Sequence, residues 1–138
     1  MLATLPAEIV LARSIGGVSL GTRRAVLTGR FGKGVVTMSG KGSYGPYAVV
    51  AYARPKLSVT YVKGTATTVA TRSKSYRTAN GIVIGTAKAR LLSAYGKRIA
   101  CGNFEVCTVG AALPGRAVTT FELHAGRVSE IDVSSVLN

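Results

Sequence analysis

A chain of 138 residues with 47% hydrophobic content is long enough to bury a core and too apolar to remain disordered. Its formal charge of +13 draws it toward anionic surfaces without selecting one class of partner, because that attraction is long-ranged and screened by salt. No run approaches the roughly 18 apolar residues of a membrane-spanning helix, which excludes a helical transmembrane segment, and 17 glycines with a charged fraction of 17% point to β-structure with tight turns.

The charge is uneven. Residues 1–100 carry sixteen Lys or Arg against the single acid Glu8, a balance of +15, whereas residues 101–138 carry Arg116 and Arg127 against Glu105, Glu122, Glu130 and Asp132, a balance of −2. Residues 1–16 read as an extended lead-in. Pro6 and Glu8 interrupt it and no basic leader precedes it, so it is not an intact secretion signal. Export would mean that a signal has been removed and that Met1 is not the native start.

A first helix is expected from Thr22, whose hydroxyl could accept from a first-turn amide, to a stop at Gly32. Strands follow at Val35–Met38, Tyr47–Ala53, Leu57–Val62 and Thr65–Thr71, with a glycine-rich loop from Ser39 to Pro46 read as a flexible hairpin tip. In Leu57-Ser58-Val59-Thr60-Tyr61 the apolar residues alternate, the signature of a strand with one buried face. Residues 81–96 then repeat residues 17–32 with no gap. Gly81-Ile82-Val83-Ile84-Gly85-Thr86 stands 64 positions after Gly17-Val18-Ser19-Leu20-Gly21-Thr22, and a second short helix is expected to end at Gly96. Further strands are expected at Phe104–Val109, Ala117–Leu123 and Arg127–Val133. Val59, Tyr61, Gly64, Ala66 and Val69 align with Phe121, Leu123, Gly126, Val128 and Ile131 at a displacement of 62.

These repeats predict an α+β fold: after the lead-in, residues 17–80 and 81–138 each form a helix followed by antiparallel strands. The two units would build one continuous antiparallel sheet with the helices packed on one face. The Gly-Val-Ser-Leu-Gly-Thr-Arg-Arg-Ala-Val segment at 17–26 and its copy at 81–90 resemble the hydrophobic-Gly-Met-Thr-x-x-x-Val pattern of the β-lactamase inhibitor protein fold. That fold is shared with small outer-membrane assembly lipoproteins, and the tandem arrangement resembles secreted actinobacterial proteins. Methionine after the glycine is absent from both copies.

The resemblance implies a secreted binding protein whose first-repeat hairpin loop enters a partner's site with an acid and a tyrosine. Gly42-Ser43-Tyr44-Gly45-Pro46-Tyr47 stands in the comparable place, with Ser43 where the acid would be. Cys101 and Cys107 enclose five residues, a spacing open to a disulfide or to two buried thiols. The resemblance implies the disulfide.

No catalytic constellation, cofactor motif or metal site is expected. Two thiols and the lone His124 do not supply four metal ligands. Glu122, His124 and the serines lack a nucleophile elbow. Gly40-Lys41-Gly42-Ser43 lacks the earlier glycine of a phosphate loop and leads to a strand. The expected contact residues are Tyr44, Tyr47, Tyr52, Arg54, Arg72, Lys74, Tyr76 and Arg77, a mixture of tyrosine and cation common in binding surfaces. The expected function is non-enzymatic binding of a protein partner by an exported or cell-envelope protein. The alternative is a basic module for nucleic acid, a teichoic polymer or an anionic membrane surface.

Overall fold

The computed structural model describes residues 7–103 and 105–137. Three short strands open the chain: β1 (Glu8–Val10), β2 (Ser14–Ile15) and β3 (Val18–Ser19). Helix α1 (Arg24–Phe31) leads to β4 (Val35–Gly42), β5 (Gly45–Tyr52), β6 (Leu57–Val62), β7 (Thr65–Thr71) and β8 (Arg77–Thr78). Helix α2 (Lys88–Tyr95) and a 3-10 turn precede β9 (Ile99–Cys101), β10 (Val106–Val109), β11 (Ala117–His124) and β12 (Arg127–Ser135).

The expected α+β architecture does not form. The protein is mostly β, and its strands make two sheets rather than one: a four-stranded sheet in the order β3-β2-β1-β8, and an eight-stranded sheet in the order β4-β5-β6-β7-β12-β11-β10-β9. The supposed lead-in contributes two of the four small-sheet strands, β1 and β2, and β1 is joined there by β8 in parallel, Glu8 opposite Arg77 and Ile9 opposite Thr78. Strands of two or three residues carry no period-two signal, and a parallel partner some seventy positions away leaves no local trace. The helices do not amount to a covering layer. Each has eight residues and buries little, Leu27 from α1 and Leu91 with Tyr95 from α2.

Neither helix has a threonine cap. Arg23 and Ala87 stand at the N-caps without side-chain bonds. The Thr22 hydroxyl instead donates to the Ser19 carbonyl at 2.8 Å, and the Thr86 hydroxyl accepts from the Val83 amide at 3.0 Å. The first helical amide in each case already has a partner across the fold: Arg24 N–H donates to Gly64 O at 2.8 Å and Lys88 N–H to Gly126 O at 2.9 Å. Thr22 and Thr86 stand one residue before the N-caps, where their hydroxyls serve the preceding turns and not the helix ends.

The same pairs recur around both helices. Gly21 N–H donates to Ala66 O and Gly85 N–H to Val128 O, while Ala66 N–H returns to Thr22 O and Val128 N–H to Thr86 O. The hairpins that receive these bonds turn alike, with positive φ at both Lys63-Gly64 and Ala125-Gly126, the conformation that matches the twist of the flanking strands. Each also carries a register shift, at Thr60/Tyr61 and at Glu122/Leu123.

The core draws on one face of the large sheet, through Val50, Tyr52, Val59, Tyr61, Val69, Phe121, Ile131 and Val133, and on Ile9, Ile15 and Val18 of the small one. Strand β6 alternates buried and half-buried residues along its whole length, as its sequence predicts. Two core tyrosines bring polar atoms inside, and these satisfy one another: the Tyr52 and Tyr61 hydroxyls lie 2.7 Å apart. Burial first, and that bond second, push the Tyr61 phenol above its ordinary range. Replacing Tyr52 by Phe strands the buried Tyr61 hydroxyl and is expected to cost about 1–3 kcal/mol, whereas the Tyr52→Phe, Tyr61→Phe double variant removes both polar ends and costs less than the sum of the single changes. Urea unfolding of the three variants checks this.

Candidate functional site

The Ser39–Pro46 segment is mostly paired strand where the sequence suggested a loop. Strands β4 and β5 run on to Gly42 and Gly45, leaving only Ser43 and Tyr44 as the turn. Gly45 has φ 110°, a conformation open to glycine. Tyr44 therefore stands at the turn of a paired two-stranded ribbon with 45% of its surface exposed. Tyr47 lies back across the ribbon onto Gly40, its cross-strand partner; a Cβ on Gly40 would sit only 3.0 Å from the Tyr47 hydroxyl. The bare glycine gives the ring a seat on an edge strand.

Every residue of β4 is exposed, because the strand forms one edge of the large sheet and pairs only with β5. Val35, Val36 and Met38 are 66%, 49% and 59% exposed. At the opposite edge, β9 has three residues and is tied to β10 by the Cys101–Cys107 disulfide. The disulfide reading of the two cysteines thus stands.

The other expected contact residues do not gather in one place. Tyr52 and Tyr76 are core residues, 2% and 6% exposed; the Tyr76 hydroxyl donates to the Pro55 carbonyl. Neither is available to a partner. Arg54 is exposed beyond the end of β5, and Arg77 lies on the small sheet opposite Glu8. Arg72 and Lys74 share a surface depression with Lys56. Arg72 and Lys56 also line a groove of about 610 Å³ with Val35, Thr37 and Glu130, which links this basic group to the base of β4. Tyr44 and Tyr47 lie at the ribbon's far end, where Tyr47 adjoins Arg24 and Lys63.

One grouping was missed in the sequence. Glu122, Glu130 and Asp132, three of the chain's five acids, each place a carboxylate oxygen within 4.8 Å of the others. Glu122 pairs directly with Glu130 across the β11–β12 hairpin, and Asp132 follows two residues along the same strand. The turn at His124-Ala125-Gly126 is legible in the sequence, but the register shift between Glu122 and Leu123 that brings Glu122 opposite Glu130 is not. This proximity couples the three charges. Arg72 reaches them from β7, its Nε donating to Glu130 Oε1 at 3.0 Å. With the Arg72 side chain 80% exposed, that ion pair contributes little to stability.

The three carboxyls titrate as a set. Burial, then the charge of Glu130, raise Asp132 to about 8, and its Oδ1 has no hydrogen-bond partner among the described residues. A hydrogen bond with Glu130, then burial, raise Glu122 to about 7. Burial alone would raise Glu130 as well, but hydrogen bonds from Glu122, Asp132 and Arg72 hold it below its ordinary value. The charge of the set thus settles on Glu130, beside the guanidinium.

Compared with solved structures, the chain is similar in fold to the uncharacterised protein yfeY from Escherichia coli, with a TM-score of 0.55 and 14% identity over 89% of this chain and 97% of that one. It is also similar to a cysteine-rich secretory protein from Staphylococcus aureus, with a TM-score of 0.51 and 10% identity over 84% of this chain and 44% of that one. These likenesses show the fold alone. No family model matches the chain, and no curated protein sequence matches it.

The carboxyl set has a pH signature. Asp132 and Glu122 bind protons more tightly folded than unfolded, so their contribution is full below about pH 4 and is lost as pH rises through about 7 and 8. Asp132→Asn keeps the side-chain shape and removes the ionisation. It is expected to flatten the decline in Tm between pH 5 and 9, with a gain on the order of 1 kcal/mol, or about 3 °C, at the alkaline end. Thermal unfolding across that pH range checks it.

Proposed function

We propose that this chain is an exported, non-catalytic protein-binding domain that presents the β4–β5 hairpin to another protein. The observation that carries the reading is the placement of exposed apolar surface. Among the described residues, four of the seven exposed large hydrophobic side chains, Val35, Val36, Met38 and Tyr44, lie on this one ribbon. An apolar patch with an exposed aromatic at its end, bordered by lysines, has the make-up of an interface core and rim.

Export is supported by the disulfide, which persists in oxidising compartments, and by the likeness in fold to a protein described as secretory. The β-lactamase inhibitor resemblance fits a role in which a hairpin enters a partner. Ser43 in place of the acid turns the choice of partner away from β-lactamase. We read residues 17–80 and 81–138 as two copies of one unit. The equivalent bonds that Gly21 and Gly85, and Arg24 and Lys88, each donate to their own hairpin, and the similarly turned hairpins, support that reading.

A second reading draws on the basic surface. The sixteen cations of residues 1–100 face one acid in that span, and an anionic polymer or membrane surface would satisfy them. Salt separates the two. A phosphate polymer loses affinity linearly in log salt, with a slope set by the number of phosphates neutralised, whereas an apolar protein interface changes much less. For the leading reading, the Tyr44→Ala, Tyr47→Ala double variant is expected to capture its protein partner from the secreted or envelope fraction at least about 10-fold more weakly than the parent chain, the loss typical of an aromatic anchor. Equal capture by both proteins removes the hairpin from the mechanism.

A further inference from the structure

The two edges of the eight-stranded sheet are finished differently. Strand β9 is short and covalently stapled, as natural sheets blunt an edge. Strand β4 is eight residues long and exposed throughout. Alternation along an antiparallel ladder turns the N–H and C=O of every second β4 residue away from β5, so this edge offers a ready row of donors and acceptors.

From these features we infer that β4 receives an extended acidic segment of the partner as a ninth strand. The charge around the edge specifies the occupant. Lys33 precedes the strand, Lys41 lies within it, Lys63 packs beside Gly45 at the turn, and Lys56 lines the groove that Val35 enters. None of the four is in an ion pair; among the described residues the pair is Arg72 with Glu130. A second copy of the chain is disfavoured as the occupant, since it would bring +13 against +13.

The side chains refine the match. Val35 and Met38 share a face through their partners Ala51 and Val49, while Val36 and Lys41 share the other through Val50 and Pro46. The register shift between Val36 and Met38 preserves that division. A strand that alternates apolar and acidic residues places its apolar set beside Val35 and Met38 and an acid beside Lys41. Main-chain bonds supply affinity and the alternate side chains supply selection.

This inference rests on the protein-binding reading and is tested separately from it. The probes are an alternating Glu–Val peptide of about eight residues, the same peptide N-methylated at alternate residues, and an alternating Lys–Val peptide. Titrated by fluorescence anisotropy against the intact, oxidised chain, the first is expected to bind at least about 10-fold more tightly than either of the others. Hydrogen exchange at residues 35–42 is expected to slow with the Glu–Val peptide alone. Equal binding of the methylated peptide reduces the effect to charge and overturns strand addition. Unchanged exchange in β4 overturns it as well, as does protection of β4 by self-association without peptide. If β4 remains unprotected while partner capture still depends on Tyr44, strand addition fails and the protein-binding reading survives.

Discussion

Four register pairs between β7 and β12 hold the large sheet together, with Val69 against Val133 and Ala70 against Asp132 at their centre and Thr71 against Ile131 at one end. The last large-sheet strand from the first part of the chain there meets the last from the second, and neither set of four strands touches the other in the ladder anywhere else. Val69, Ile131 and Val133 are wholly buried. Antiparallel pairing at that seam forces the first strands of each set outward. Strand β4 becomes an edge because it lies farthest from the seam, and β9 becomes the other edge for the same reason.

Those two edges were not equally legible. The lengths of β6 and β7 follow from alternation and from Lys63-Gly64, and the structure returns the same boundaries. Strand β10 begins at Val106 rather than Phe104, and Phe104 lies outside the described residues. Strand β4 extends four residues past its expected end at Met38, because glycine and serine carry no alternating pattern and only the pairing with β5 defines them as strand. The small sheet was invisible for a stronger reason. Its strands are short, and β1 with β8 is a contact between distant positions that no local pattern encodes.

The tyrosines show the limit of composition as evidence. Tyr44 and Tyr52 are the same residue type on one ribbon, yet one is at the turn and the other is in the core. Position relative to the turn decides which is free: Tyr52 lies on the face that includes Val50, and its hydroxyl is tied to Tyr61. The acidic set makes the converse point. Glu122, Glu130 and Asp132 stand up to ten positions apart in the sequence, and only cross-strand register brings them together. Raising Glu122 and Asp132 relieves the repulsion that three ionised carboxyls would meet at close range.

Charge and edge are therefore linked. Three of the five acids are held on β11 and β12, so apart from Arg72 the cations of the first part of the chain have no ion-pair partner among the described residues. An open, apolar edge strand is ordinarily an aggregation hazard. Here the surrounding field opposes like-charged copies at long range, before any backbone bond can form, and its reach shortens as salt rises. The same field attracts an acidic strand. A basic surface beside an unpaired edge thus favours an acidic strand over a second copy of the chain, and that preference depends on ionic strength.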